Sequence, residues 1–201
     1  MYFYKLYGLI FKSNIRIEQL IEVDKSNSYD AQINIGKVPS KIRDFFSKGY
    51  IDGYKNDAFW FSNDKAIFYI QDGNAITVEL FDSIKPEITI PFILGYCMSM
   101  LFFQRNRLAV HCSAVDINGR AILIAGYSGA GKTSLTTRLL HEGARLIADD
   151  LAVLDVKESS AIVYPAFPHQ NLCNNVIEQY GFDKSELVCV DCERDKYRVN
   201  R

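Results

Sequence analysis

The residues Gly126-Tyr127-Ser128-Gly129-Ala130-Gly131-Lys132-Thr133 fit the pattern G-x-x-x-x-G-K-[ST], a loop whose chemistry suits it to grip phosphate groups. Glycines at 126, 129 and 131 let backbone N–H groups turn toward an anion, and a helix starting near Lys132 aims its positive end at the same point. Lys132 is then expected to reach the β- and γ-phosphates of a nucleotide, with the Thr133 hydroxyl on a bridging magnesium ion. Ser128, Ala130 and Ser134 complete the set expected around the phosphates. Two adjacent carboxylates, Asp149 and Asp150, stand 17 and 18 positions after the lysine. In phosphoryl transfer such a pair divides the work: one acid lies on the metal ion, and the other accepts the proton of an attacking hydroxyl.

Those groups need elements to bring them together. The run Ala121-Ile122-Leu123-Ile124-Ala125 reads as a buried strand delivering the loop. Residues 134–141 read as the following helix, with Leu135, Leu139 and Leu140 on one face and Gly143 ending it. The apolar stretch Leu146-Ile147-Ala148 then returns the chain to a sheet, which puts both acids at the carboxyl end of a strand, where ligands of open α/β sheets gather. Upstream, residues 108–116 alternate as one strand, and Asn118-Gly119 is the dipeptide of a tight hairpin into the loop strand. A lone histidine in an apolar strand is ordinarily a core residue, but this hairpin brings His111 toward the phosphate loop.

The stretch from Val110 to Asp155 resembles the kinase domain of bacterial HPr kinase/phosphorylase, and more closely its smaller HPr-kinase-like relatives, including peptide kinases found beside ribosomal-peptide biosynthesis genes. The matching signs are a His followed two residues on by Ser113-Ala114-Val115, then GYSGAGKT, a helix ending at Gly143, and Ala148-Asp149-Asp150. The resemblance implies an α/β P-loop kinase domain of the HPr-kinase/carboxykinase type and a phosphotransferase using ATP and Mg2+. It also implies a peptide or protein acceptor with a Ser or Thr hydroxyl, and a homo-oligomer. It makes His111, Lys132, Asp149 and Asp150 the catalytic group, with Thr133 and Asp149 on the metal and Asp150 as base. Two departures separate this chain from the phosphorylase members: Ser134 replaces their Glu, and their I-E-I-R-G-L-G-type signature is absent. Tyr164-Pro165-Ala166-Phe167-Pro168 instead resembles the Pro-x-x-Pro segment of the smaller relatives. Such proteins continue past the tract ending at Arg201, which implies a chain truncated at its C-terminus. A small-metabolite kinase on the same core, and a nucleotide-binding module without turnover, are the alternatives. The peptide or protein kinase alone gives a task to both acids and His111 together.

With 201 residues and 48% hydrophobic composition, the chain can bury a sizeable core. A net charge of −1 and no basic run with interleaved aromatics argue against a nucleic-acid partner. No secretory leader is recognised, so a cytoplasmic location is expected. The most apolar stretch, residues 88–103, reads as shorter than a bilayer span and as a buried helix entered through Pro91, with no membrane role. Five cysteines without a secretion signal are expected to be reduced thiols, and Cys189-Val190-Asp191-Cys192 lacks the further ligands a zinc site needs.

Residues 1–87 have a different texture and read as a β-rich N-terminal lobe, with residues 88–201 as the kinase domain. Strands are expected at 2–11, 32–38, 57–62, 66–70 and 75–80, a helical turn at 42–46 and a connector at 83–87. Tyr4, Tyr7, Phe59, Trp60, Phe61, Phe68 and Tyr69 read as sheet core. Such a lobe offers an acceptor peptide a place to add a strand.

Overall fold

The computed structural model describes residues 1–25, 28–49, 51–55, 57–127, 129–191 and 195–201, so Ser128 and Cys192 lie outside the described residues. The protein is mixed α/β with several sheets, and it divides into two compact units: Met1–Ala109 with Val153–Ile162, and Val110–Ala152 with Val163–Arg201. The division falls after residue 109 rather than 87, because the apolar helical segment packs with the first unit.

The first unit is built on an eight-stranded sheet. Its strands are β1 (Tyr2–Leu6), β2 (Leu9–Ser13), β3 (Ile21–Glu22), β4 (Ala31–Ile35), β5 (Asp52–Lys55), β6 (Ala58–Ser62), β7 (Ala66–Gln71) and β8 (Ala75–Leu80), with helix α1 (Ser40–Ser47) between β4 and β5. The order is β3-β1-β2-β4-β8-β7-β6-β5, and only β2 with β4 and β4 with β8 run parallel. The expected single strand at 2–11 is two: Tyr7 and Gly8 take φ of 50° and 76°, the left-handed pair of a two-residue hairpin, and β1 folds back on β2. Alternation continues through such a turn, so periodicity alone does not reveal it.

Residues 86–104 form one helical run: a 3-10 turn at Pro86–Thr89, α2 (Ile90–Phe92), a π turn at Ile93–Cys97 and α3 (Met98–Gln104). It spans 19 residues at mean hydropathy 1.4, so the expectation that it falls short of a bilayer span is wrong by length and composition. One face of it is nonetheless packed into the first unit, while Tyr96 and Phe103 are exposed. Ile93, Cys97, Met98, Leu101 and Phe102 are fully buried. Ring contacts tie the run to the sheet, Tyr7 to Phe102 at 5.2 Å and Phe68 to Phe92 at 5.7 Å between centroids. Tyr4, Tyr7, Trp60, Phe68 and Tyr69 are buried, and Phe59 and Phe61 are half-buried.

Strands β9 (Leu108–Val110), β13 (Ala152–Val156) and β14 (Ala161–Tyr164) form a three-stranded sheet with β13 in the middle. In the second unit, β10 (Ser113–Ile117), β11 (Arg120–Ile124) and β12 (Arg145–Ala148) make a sheet ordered β11-β10-β12, with helix α4 (Lys132–His141) between β11 and β12. The unit also holds β15 (His169–Cys173), α5 (Asn174–Tyr180), β16 (Val188–Asp191) and β17 (Lys196–Asn200), with β17 central in its sheet. Leu172, Val176, Ile177 and Val199 form its apolar cluster.

Three expectations change here. The single strand at 108–116 is broken by a bend at His111 and Cys112 into β9 and β10. The loop-delivering strand β11 is an exposed edge rather than buried, because among the described residues it pairs with β10 alone. The buried residues of α4 are Thr136 and Thr137, while Leu135 is 50% exposed. This works because both hydroxyls have acceptors: Thr136 Oγ1 donates to the Lys132 carbonyl at 2.8 Å and Thr137 Oγ1 to Gln170 Oε1 at 3.4 Å.

Candidate functional site

Asn118 and Gly119, at φ of 53° and 79°, form the two-residue turn that fixes β10 against β11 in the register Ser113↔Ile124 to Ile117↔Arg120. The phosphate-loop sequence starts two residues beyond Ile124. Gly129 and Gly131 sit at φ of 82° and 87°, and a Cβ at either would meet nothing within 4 Å. Their need for glycine is therefore conformational and leaves open space above the backbone. Ala130 N–H donates to the Tyr127 carbonyl at 3.1 Å, and Lys132 Nζ donates to the carbonyls of Gly126 and Tyr127 at 2.8 and 3.2 Å. The lysine thus lies along the loop it belongs to.

Gly131 is the N-cap of α4, and no side chain caps that end. The first backbone N–H groups of a helix lack internal partners, so an uncapped end behind a left-handed glycine is suited to an anion. Thr133 is half-buried and Ser134 exposed at this end. The far end closes as a Schellman turn: Gly143, at φ 97°, donates to the Leu140 carbonyl at 3.1 Å and Ala144 to that of Leu139 at 3.0 Å. Helix α4 therefore has a fixed stop, and β12 begins at once.

Strand β12 lies on the other side of β10, where Ala148 pairs with Ala114. Both β11 and β12 run antiparallel to β10, so their carboxyl ends share one end of the sheet. The phosphate loop leaves one, and Asp149 with Asp150 leave the other. Asp149 is 4% exposed. Its Oδ1 accepts the Ser113 hydroxyl at 2.9 Å and its Oδ2 accepts the Asn171 backbone N–H at 3.1 Å. Burial, reinforced by the Asp150 charge, pushes its carboxyl up to about 6 against the pull of those two donors and of Lys196. Asp150 is exposed. The Leu151 N–H donates to the Asp149 carbonyl at 2.8 Å, closing a three-residue turn around Asp150 at φ 65°. A non-glycine residue held there stores backbone strain of the kind that collects at functional sites.

His111 is exposed in the bend before β10, two residues ahead of Ser113, as Gly126 is two residues past its partner Ile124. Histidine, loop and acids therefore share one end of this sheet. Among the described residues no hydrogen bond or ion pair joins Lys132 or Thr133 to either acid. No group of three or more His, Cys, Asp or Glu able to hold a metal occurs among the described residues. Cys189 is disulfide-bonded while Cys97, Cys112 and Cys173 are free, which corrects the expectation of reduced thiols throughout.

Sequence reasoning missed the partners of Asp149. Ser113 carried a signal, a hydroxyl at the head of the apolar pair Ala114-Val115; Asn171 carried none, because it contributes through its backbone. Behind them Gln170, fully buried, accepts the Arg201 guanidinium on Oε1 at 2.9 and 2.6 Å.

Residues 104–181 match the family model described as the HPr Serine kinase C-terminal domain. Among curated relatives, HPr kinase/phosphorylase of Clostridium acetobutylicum is 40% identical over 60 residues, 30% of this chain and 19% of that protein. Its counterpart in Chloroherpeton thalassium is 42% identical over 53 residues, 26% of this chain and 16% of that protein. That of Lacticaseibacillus casei is 40% identical over 63 residues, 31% and 20% respectively. The matched stretch thus spans about a fifth of the length of these relatives. These matches make residues 104–181 similar to the C-terminal domain of HPr kinase and support an HPr-kinase-like family for that part of the chain.

Proposed function

We propose that the protein is a cytoplasmic P-loop kinase that uses magnesium ATP to phosphorylate a Ser or Thr hydroxyl of a peptide or protein acceptor. The observation that carries this reading is the sharing of one sheet end by the phosphate loop after β11 and the paired acids after β12. The residues fit a nucleotide: α4 is uncapped, Gly129 and Gly131 hold left-handed backbone, and the space above them is open. They also fit the metal, because Thr133 offers a hydroxyl and, among the described residues, Asp149 accepts one hydrogen bond on each oxygen.

Magnesium ATP supplies the γ-phosphoryl group and neutralises the charge that gathers on it. Backbone N–H groups at the start of α4 bind the phosphates, and Lys132 Nζ exchanges the carbonyls of Gly126 and Tyr127 for phosphate oxygens. The buried Asp149, fixed by Ser113 and Asn171, is suited to hold the metal. Exposed Asp150, on its strained turn, is suited to take the proton of the acceptor hydroxyl. His111 shares the same sheet end and would stand on the side of bound phosphates. Among the described residues β5, at one end of the eight-stranded sheet of the first unit, pairs with β6 alone, which leaves an edge on which an acceptor peptide could add a strand.

The test is ADP release from magnesium ATP with and without candidate peptides, with the added phosphate read by mass. Asp150→Asn should lower transfer about 10²–10⁴-fold while nucleotide affinity stays within twofold. Full-rate transfer by this variant would remove Asp150 from the base role.

A further inference from the structure

We propose that Ser113 is a positioning residue: its hydroxyl, together with the Asn171 backbone N–H, holds the Asp149 carboxylate in the single orientation that presents it to a metal ion at the phosphate loop. The inference rests on the kinase reading above and assigns a residue to which that reading gives no chemical step.

Ser113 is the first residue of β10, between two polypeptide neighbours with different tasks. On one side its backbone pairs with Ile124, the last residue of the strand that delivers the loop. Its side chain meets Asp149, the first residue after the strand on the other side, at 2.9 Å. Ser113 is 3% exposed, so water does not compete for its hydroxyl. The second donor, Asn171 N–H, comes from β15, whose one strand neighbour among the described residues is β17. One donor per oxygen, from two elements, fixes both the position and the plane of the carboxylate. A carboxylate has about four lone-pair directions. Two are used, and the rest remain for a cation.

A buried serine in a strand can equally satisfy itself on a nearby carbonyl, a role without functional consequence. The observed partner is instead the charged acid at the proposed metal position. Outer donors that orient a metal ligand change metal affinity about 10–100-fold when removed, a consequence that packing alone does not predict.

The experiment uses the full chain with a non-hydrolysable ATP analogue and Mn2+, read by the fall in the free-ion electron paramagnetic resonance signal. A fluorescent ATP analogue in EDTA gives metal-free nucleotide affinity, and thermal melts confirm folding. Ser113→Ala should weaken Mn2+ binding at least tenfold in the ternary complex while metal-free nucleotide affinity stays within twofold. Ser113→Thr, which keeps the hydroxyl, should recover most of the loss. If Ser113→Ala does not fold, Ser113→Cys fills the same space with a weak donor and should show the same selective loss. Wild-type Mn2+ affinity in a folded Ala or Cys variant overturns the assignment, as does an equal loss of metal and metal-free nucleotide affinity. Failure of the wild-type chain to bind the nucleotide at all would sink the kinase reading instead, so the two failures are distinguishable.

Discussion

Replacing Asp149 by Asn should stabilise the protein at neutral pH while removing the proposed metal ligand. The Asp149 carboxyl titrates near 6 against a usual 3.8, chiefly through burial and then through the Asp150 charge. A rise of about 2 units corresponds to about 3 kcal/mol held against the charged form in the fold. The sign follows from proton binding. Between pH 3.8 and 6 the folded chain holds a proton that the unfolded chain has lost, so stability falls as pH rises through that window and the deficit is full above it. His169 works oppositely over nearly the same range: burial drives its imidazole down to about 4 from 6.5, so its contribution is lost as pH falls from 6.5 to 4. The wild-type profile mixes the two, and only the difference between variant and wild type isolates Asp149. In Asn the Oδ1 can still accept from Asn171 and one amide N–H can donate to the Ser113 oxygen, while the second N–H and the Ser113 hydroxyl hydrogen lose the carboxylate as acceptor, which takes back part of the gain. Thermal melts followed by circular dichroism in EDTA from pH 4 to 8 should show Asp149→Asn near wild type at pH 4. By pH 8 it should lie above wild type by up to about 6–12 °C, at about 2–4 °C per kcal/mol for a chain of this size. A pH-independent difference, or a variant less stable than wild type at pH 8, refutes the reasoning.

Lys132→Ala should weaken nucleotide and slow transfer together, because among the described residues Nζ bonds to the carbonyls of Gly126 and Tyr127 in its own loop; an unchanged affinity in a fluorescent-nucleotide titration would count against the cradle. Gly143→Ala forces a Cβ into φ 97° and should cost about 1–2 kcal/mol, lowering the melting temperature by about 2–8 °C with nucleotide affinity kept. A loss of affinity there would mean that the Schellman turn does more than stop the helix.

What the sequence revealed of the site was its short-range part. Asn118-Gly119, Gly131 and Gly143 each encode a backbone conformation within a few residues, and those turns alone place the loop and the acids on the flanks of one strand. The family resemblance rests on the same contiguous stretch. What it hid depends on partners far along the chain. Asn171 reaches Asp149 from 22 residues away through a backbone N–H, which no residue type announces. The polar face of α4 depends on Gln170, 33 residues from Thr137, so a pattern of leucines pointed to the wrong side. Similarly, the run at 86–104 is ambiguous by composition, and only its ring contacts with the sheet show how its residues are used.

The same contrast explains why β10 matters more than its plain sequence implies. An edge strand such as β11 cannot hold a phosphate loop in register by itself, since only one neighbour restrains it. Strand β10 is restrained on both sides, by five paired positions with β11 and by β12 across a bulge between Ala114 and Val115. Within the sheet, displacement of the loop strand relative to the acid strand therefore acts through β10, and at that end the side-chain tie from β10 to the acids is the Ser113 hydroxyl. Loss of that hydroxyl leaves both backbone ladders intact but frees the carboxylate. The effect should accordingly appear in metal binding rather than in the stability of the sheet.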